Sequence, residues 1–132
     1  MNISVGCAQL GLNYGIANKT GVLKFNEFKK ILKELNNKNS LIDTAINYGN
    51  SELLIGKSLK QVNQNKKYKI ITKLPNLKGI KSKNLDYEIN KLIQKSLKKM
   101  KLKNIYGVLI HDIEDLKTNN DEKIYNTLKN LK

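Results

Sequence analysis

Apolar positions along this chain follow two different spacings. Short apolar runs at 3–9, 40–45, 68–73 and 105–110 have the length of strands. Between them, apolar residues recur at steps of three and four. Phe25, Phe28, Leu32 and Leu35 share one helical face. After the second run, Asn50 or Ser51 can cap a helix, Glu52 suits its first turn as a solvated charge, and Leu54, Leu59 and Val62 continue the apolar side. The third helix is the best defined. Leu85, Ile89, Leu92, Ile93, Leu97 and Met100 form a stripe, with Lys91, Lys95, Lys98 and Lys99 largely outside it. A last helix, capped by Thr118, Asn119 or Asn120, is predicted to bury Ile124, Leu128 and Leu131.

Alternating strands and helices predict an α/β fold with a parallel sheet, whose strands are expected to be apolar on both faces. Four β/α units account for the chain, with no linker or repeat between them. A complete TIM (β/α)₈ barrel takes about 250 residues, so four units need about 125, close to the 132 present. The predicted ends of strands two, three and four fall near 43, 73 and 111. Those steps suit a partial barrel. A small open sheet of flavodoxin type is the competing architecture. The chain reaches Lys132 inside an apolar pattern and without a terminating glycine, as a truncated chain would.

The composition, 39% hydrophobic and 27% charged, is that of a globular domain. No apolar run approaches the roughly 20 residues that cross a bilayer, and the first five residues lack the pattern of a signal peptide. A cytoplasmic location is the default expectation. The net charge of +14 raises the possibility of a polyanion partner, but every basic residue is Lys and none is Arg. Specific nucleic-acid recognition draws heavily on the guanidinium fork, and these lysines are spread along the whole chain. They are expected to be solvated surface. The single cysteine, Cys7, excludes an internal disulfide, and the single histidine disfavours a metal site.

In parallel α/β folds, functional groups gather at the C-terminal ends of strands. Here those positions hold Asp43, Lys73 and His111, and Tyr48 follows closely after the second strand. Taken singly, each has an ordinary structural role. Together they suit carbonyl reduction, in which charge develops on oxygen and a proton donor is needed. A free phenol has a pKa of about 10, and a neighbouring ammonium favours its ionised form. Lys73 can supply that charge, Asp43 can keep it paired and aimed, and a neutral His111 can orient the substrate oxygen.

At these residues the chain resembles the aldo-keto reductase family. The matching stretches are Ile42-Asp43-Thr44-Ala45, Tyr48-Gly49-Asn50-Ser51-Glu52 with Gly56, Ile71-Thr72-Lys73, and Leu109-Ile110-His111-Asp112. The likeness covers essentially the whole chain. It implies an N-terminal half-barrel over residues 1–132, with Tyr48 as proton donor, Lys73 tuning it, Asp43 pairing with the lysine, and His111 positioning the carbonyl. It further implies NADPH, with NADH as the alternative, bound without a Gly-x-Gly-x-x-Gly loop. The segment around Gly6 and Cys7 resembles the first-strand stretch beside the nicotinamide, so Gly6, Cys7 and Asp43 are the expected cofactor contacts. Cys7 stands where the family commonly has threonine. The phosphates and adenosine would be held by loops after later strands.

Three functional expectations follow. The first is an NAD(P)H-dependent oxidoreductase acting on a small aldehyde or ketone, with the isolated chain inactive. The second is a non-catalytic half-barrel remnant or interaction module that self-associates through open sheet edges. The third is a Lys-rich polyanion binder.

Overall fold

In the computed structural model, residues 3–35, 40–62 and 68–131 are described. Met1, Asn2 and Lys132, at the two ends considered above, lie outside them. The element order is β1 (Ser4–Gly6), α1 (Ala8–Gly11), α2 (Phe25–Glu34), β2 (Leu41–Asp43), α3 (Ser51–Val62), β3 (Lys69–Leu74), α4 (Leu85–Met100), β4 (Gly107–Ile110) and α5 (Asp121–Lys129). Short 3₁₀ turns at Ser82–Asn84 and Ile113–Lys117 lead into α4 and follow β4.

All strand pairs are parallel, and the order is β1-β2-β3-β4. That order decides between the two architectures. A flavodoxin-type sheet places β1 between β2 and β3, whereas here β1 is an edge strand. Sequential parallel order is that of a (β/α)₈ barrel, of which four units are present.

Pairing places Gly6 opposite Asp43, Asp43 opposite Ile71, and Lys73 opposite Leu109. Paired residues share a face, so the sheet has two distinct sides. Ile42, Ile70, Thr72 and Leu74 point to the back and are buried there. One group of core residues joins Ile42 and Ile70 to Phe28, Leu32, Ile55, Leu59 and Met100; another joins Leu74 to Leu85, Ile89, Ile93 and Ile124. Helix α2 packs on α3, α3 on α4, and α4 on α5. Gly56 is required at the α3–α4 contact, where a Cβ would lie 2.3 Å from the Met100 carbonyl oxygen.

The front face is different. It carries Ser4, Lys69, Asp43 and Lys73 among apolar residues, and Leu109 is 45% exposed. The expectation of strands apolar on both faces is therefore corrected: only the helix-covered side is.

Other details also depart from expectation. β1 ends at Gly6, and residues 8–11 form the turn of helix α1, which tucks Leu10 into the core. Ser51 does not cap α3; its hydroxyl bonds instead to the Cys7 carbonyl and pairs with Thr44. Asn120 occupies the position before α5 but makes no side-chain cap, and Leu131 is exposed. No described helix is long and apolar enough to cross a membrane.

Candidate active site

Asp43 closes β2, and Lys73 lies two residues beyond Asp43's register partner on β3. The long lysine side chain reaches back across the front face, and its Nζ donates to Asp43 Oδ1 at 2.6 Å. The pair is partly sheltered, with 16% of the lysine and 33% of the aspartate side chain exposed. The same ammonium lies 5.3 Å from the centroid of the Tyr48 ring. That ring meets the imidazole of His111 edge-on, at 5.7 Å and 86°. His111 is exposed and follows β4 directly. All four strand-end candidates are thus brought to one place.

Tyr48 depends on a tight turn for its position. Its N–H donates to the Ala45 carbonyl at 3.1 Å, and its carbonyl accepts from the Ser51 N–H at 2.9 Å. Two glycines allow this turn to lie against α1. A Cβ on Gly11 would fall 1.7 Å from the Tyr48 carbonyl oxygen, and Gly49, at φ +52°, would clash with the Gly11 carbonyl. Before the turn, the Thr44 and Ile46 N–H groups bond to the Ile71 and Lys73 carbonyls, extending the β2–β3 ladder toward Tyr48.

The three expected cofactor contacts are placed differently from one another. Gly6 lies on the open front face beside Asp43, and a Cβ there would meet nothing within 4 Å. Cys7 is 2% exposed and packs in the core, so its thiol offers nothing to the front face. Burial, followed by the nearby Asp43 carboxylate, pushes that thiol up to about 12 despite the opposing charge of Lys73. What Cys7 supplies is backbone: its N–H donates to the Asp43 carbonyl at 2.8 Å.

Beside His111, the Asp112 carboxylate accepts from the Glu114 N–H and from Asn76, in that order of effect, and is held below the usual carboxylate range. These bonds anchor the chain just after the histidine to the segment after β3. The four-residue cluster lies on the sheet face that the helices leave uncovered, with Asp43, Tyr48 and Lys73 partly sheltered and His111 exposed. Concave pockets open between α4 and α5 and beside Tyr106 before β4, and a smaller one next to His111 is lined by Asn76, Asp112 and Glu114.

Glu52 was expected to be a solvated first-turn charge, and here the sequence misleads. Its side chain is 1% exposed, one carboxylate oxygen accepts from Thr72 at 2.9 Å, and the other faces Lys99 at 3.6 Å. Lys99, expected outside the packed stripe, thus turns inward to meet a charge.

Four sequential β/α units with this cluster at their strand ends have the layout of half a (β/α)₈ barrel. The chain belongs to the aldo/keto reductase family, whose family model matches residues 2–132. No curated protein matches it. Two solved structures from Pseudomonas aeruginosa, provisionally named as aldo-keto reductases, share its fold. One has a TM-score of 0.71 and 23% identity, covering 98% of this chain and 50% of its own. The other has a TM-score of 0.70 and 23% identity, covering 98% and 49%. The chain therefore spans about half the length of these structures.

Proposed function

We propose that this chain carries the proton-donating and carbonyl-orienting half of an NAD(P)H-dependent reductase that converts small aldehydes or ketones to alcohols. The observation behind this is the placement of the Tyr48 ring, its centroid 5.3 Å from the Lys73 ammonium and 5.7 Å from that of the His111 imidazole, with Lys73 held by Asp43 at 2.6 Å. In this reading a substrate carbonyl lies over the front face, and its oxygen takes a proton from the Tyr48 hydroxyl as charge develops. The Lys73 ammonium stabilises the phenolate left behind. Asp43 keeps that ammonium aimed, and His111 hydrogen-bonds the substrate oxygen to fix its angle of approach.

NADPH, with NADH as the alternative, supplies the hydride when bound. The open strip formed by Gly6 and Asp43 fits a flat ring, because no side chain projects over Gly6 and nothing stands within 4 Å of where one would begin. Residues beyond this half would grip the phosphates and adenosine. The 132-residue chain alone should therefore bind NADPH weakly and turn over near background, because the reactive ring is not held at attack distance.

The test compares the chain alone with the chain joined to a second half that completes the barrel, following NADPH consumption with aldehydes and ketones. The completed form should turn over, and Tyr48→Phe should reduce its rate by about 10²–10⁴-fold. A loss below about tenfold would remove Tyr48 from its assigned role. Tight saturable NADPH binding by the chain alone would mean that the cofactor site is misassigned. The bare front face favours one further reading, a non-catalytic half-barrel that docks on another polypeptide. In that case the completed form would assemble without Tyr48-dependent turnover.

A further inference from the structure

Behind the sheet, directly under the cluster, lies a second set of polar groups with no part in the chemistry above. Thr44, Ser51, Glu52 and Thr72 are all buried. Thr44 and Ser51 share a hydroxyl–hydroxyl bond of 2.9 Å, and Ser51 also donates to the Cys7 carbonyl at 3.0 Å. Thr72 donates to Glu52 Oε1 at 2.9 Å, while Glu52 Oε2 has no hydrogen bond among the described residues and lies 3.6 Å from the Lys99 ammonium.

Each member adjoins a residue of the front-face cluster. Thr44 follows Asp43, Thr72 precedes Lys73, and Ser51 and Glu52 follow the Tyr48 turn. Strand side chains alternate between faces, so a shift at Thr72 must move Lys73 with it. A buried carboxylate is costly to desolvate, whereas an exposed glutamate would gain the same helix-dipole benefit at a first turn. Capping alone thus gives no reason to bury Glu52. Fastening does, because the carboxylate ties the first turn of α3 to both β3 and α4.

We propose that Glu52 is a positioning residue: by gripping Thr72 and Lys99 behind the sheet, it sets the Tyr48 turn against the strand end that carries Lys73. Its purpose rests on the reductase reading above, but its test does not. His111 is the only histidine, so its imidazole protons give an uncrowded NMR signal, and the edge-on Tyr48 ring shifts that signal. Wild type, Glu52→Ala, Thr72→Val and Thr72→Ser are compared, with Tyr48→Leu marking the His111 shift when the ring is absent.

In folded Glu52→Ala and Thr72→Val, the His111 signals should move toward the Tyr48→Leu position, and the magnetisation transfer between Lys73 and Tyr48 should be lost. Thr72→Ser keeps the hydroxyl and should retain both. If folded Glu52→Ala and Thr72→Val show wild-type His111 signals and only a lowered melting temperature, Glu52 is structural and the proposal is overturned. If Glu52→Ala does not fold, the near-isosteric Thr72→Val decides alone. Failure of the reductase reading would appear separately, as absent turnover in a completed barrel whose His111 signals still depend on Glu52.

Discussion

Lys73 on β3 and Asp43 on β2 form a 2.6 Å ion pair across neighbouring parallel strands, on the face that the helices leave bare. With 16% and 33% of the two side chains exposed, the pair is neither a solvated surface contact nor a fully buried one. Its stabilisation should fall between those limits, and its larger effect is to restrict where the lysine points.

Asp43→Asn tests that restriction. Removing the charge leaves a sheltered ammonium without its partner and should cost about 1–2 kcal/mol, between the values for exposed and buried pairs. Urea denaturation of the chain would measure it through the midpoint at unchanged slope. In a completed barrel the same change should lower turnover on the order of 10²-fold, as a misplaced ammonium would. Unchanged stability and turnover would show that Lys73 is held by other means.

Cys7 should be inert to thiol reagents while the chain is folded. With the folded thiol at about 12, the thiolate fraction at pH 8 is about 10⁻⁴, against roughly a quarter for a free thiol. Because the folded value is raised, its contribution to stability is complete below the unfolded thiol pKa of about 8.5 and declines as pH rises from there toward 12. Melting temperatures should therefore decline faster above about pH 8.5 in the wild type than in Cys7→Ala. Rapid labelling of the native chain would contradict the buried placement.

Gly11→Ala should be more disruptive than a single methyl suggests. Its Cβ would lie 1.7 Å from the Tyr48 carbonyl oxygen and 2.8 Å from the Ser51 nitrogen, both backbone atoms. Overpacking of this kind costs about 1–3 kcal/mol, and relief requires the Tyr48 turn to move. Denaturation and the His111 signals should change together. If the chain loses stability while His111 keeps its wild-type signals, the turn is not set by this contact.

Association should depend on salt. β1 and β4 are the sheet edges, and Leu109 is exposed on the bare face. Unpaired edges and apolar patches favour self-association, while a charge of +14 opposes it. Screening shortens the reach of that repulsion to about 10 Å at 0.1 M salt. Light scattering at rising ionic strength should show dimers or larger species growing in. A monodisperse monomer across the range would mean that the edges are protected.

Much of the fold was legible because its signals are local. Leu85, Ile89, Ile93 and Met100 repeat at a helical period whatever surrounds them, and α4 buries all four. Three of the four strands lie within or one residue beyond their predicted segments, β1 is cut short by α1, and Asp43, Lys73 and His111 stand at or beside strand ends as their spacing suggests. Their meeting around Tyr48 follows once the strands are parallel and sequential.

What the tertiary structure alone decided concerns faces and long-range partners. A period of two marks alternation along a strand but not which side the helices cover, so the exposure of Lys69 and Leu109 on the front face was unforeseen. A glutamate at a first turn reads as solvated charge, because its partners Thr72 and Lys99 lie 20 and 47 residues away. The need for glycine at position 11 arises from the carbonyl of Tyr48, far along the chain. Sequence alone determined most of the elements and which residues stand at their ends, since both depend on neighbouring residues. The closeness of one turn to another, and the burial of a charge between two elements, exist only once distant segments have packed.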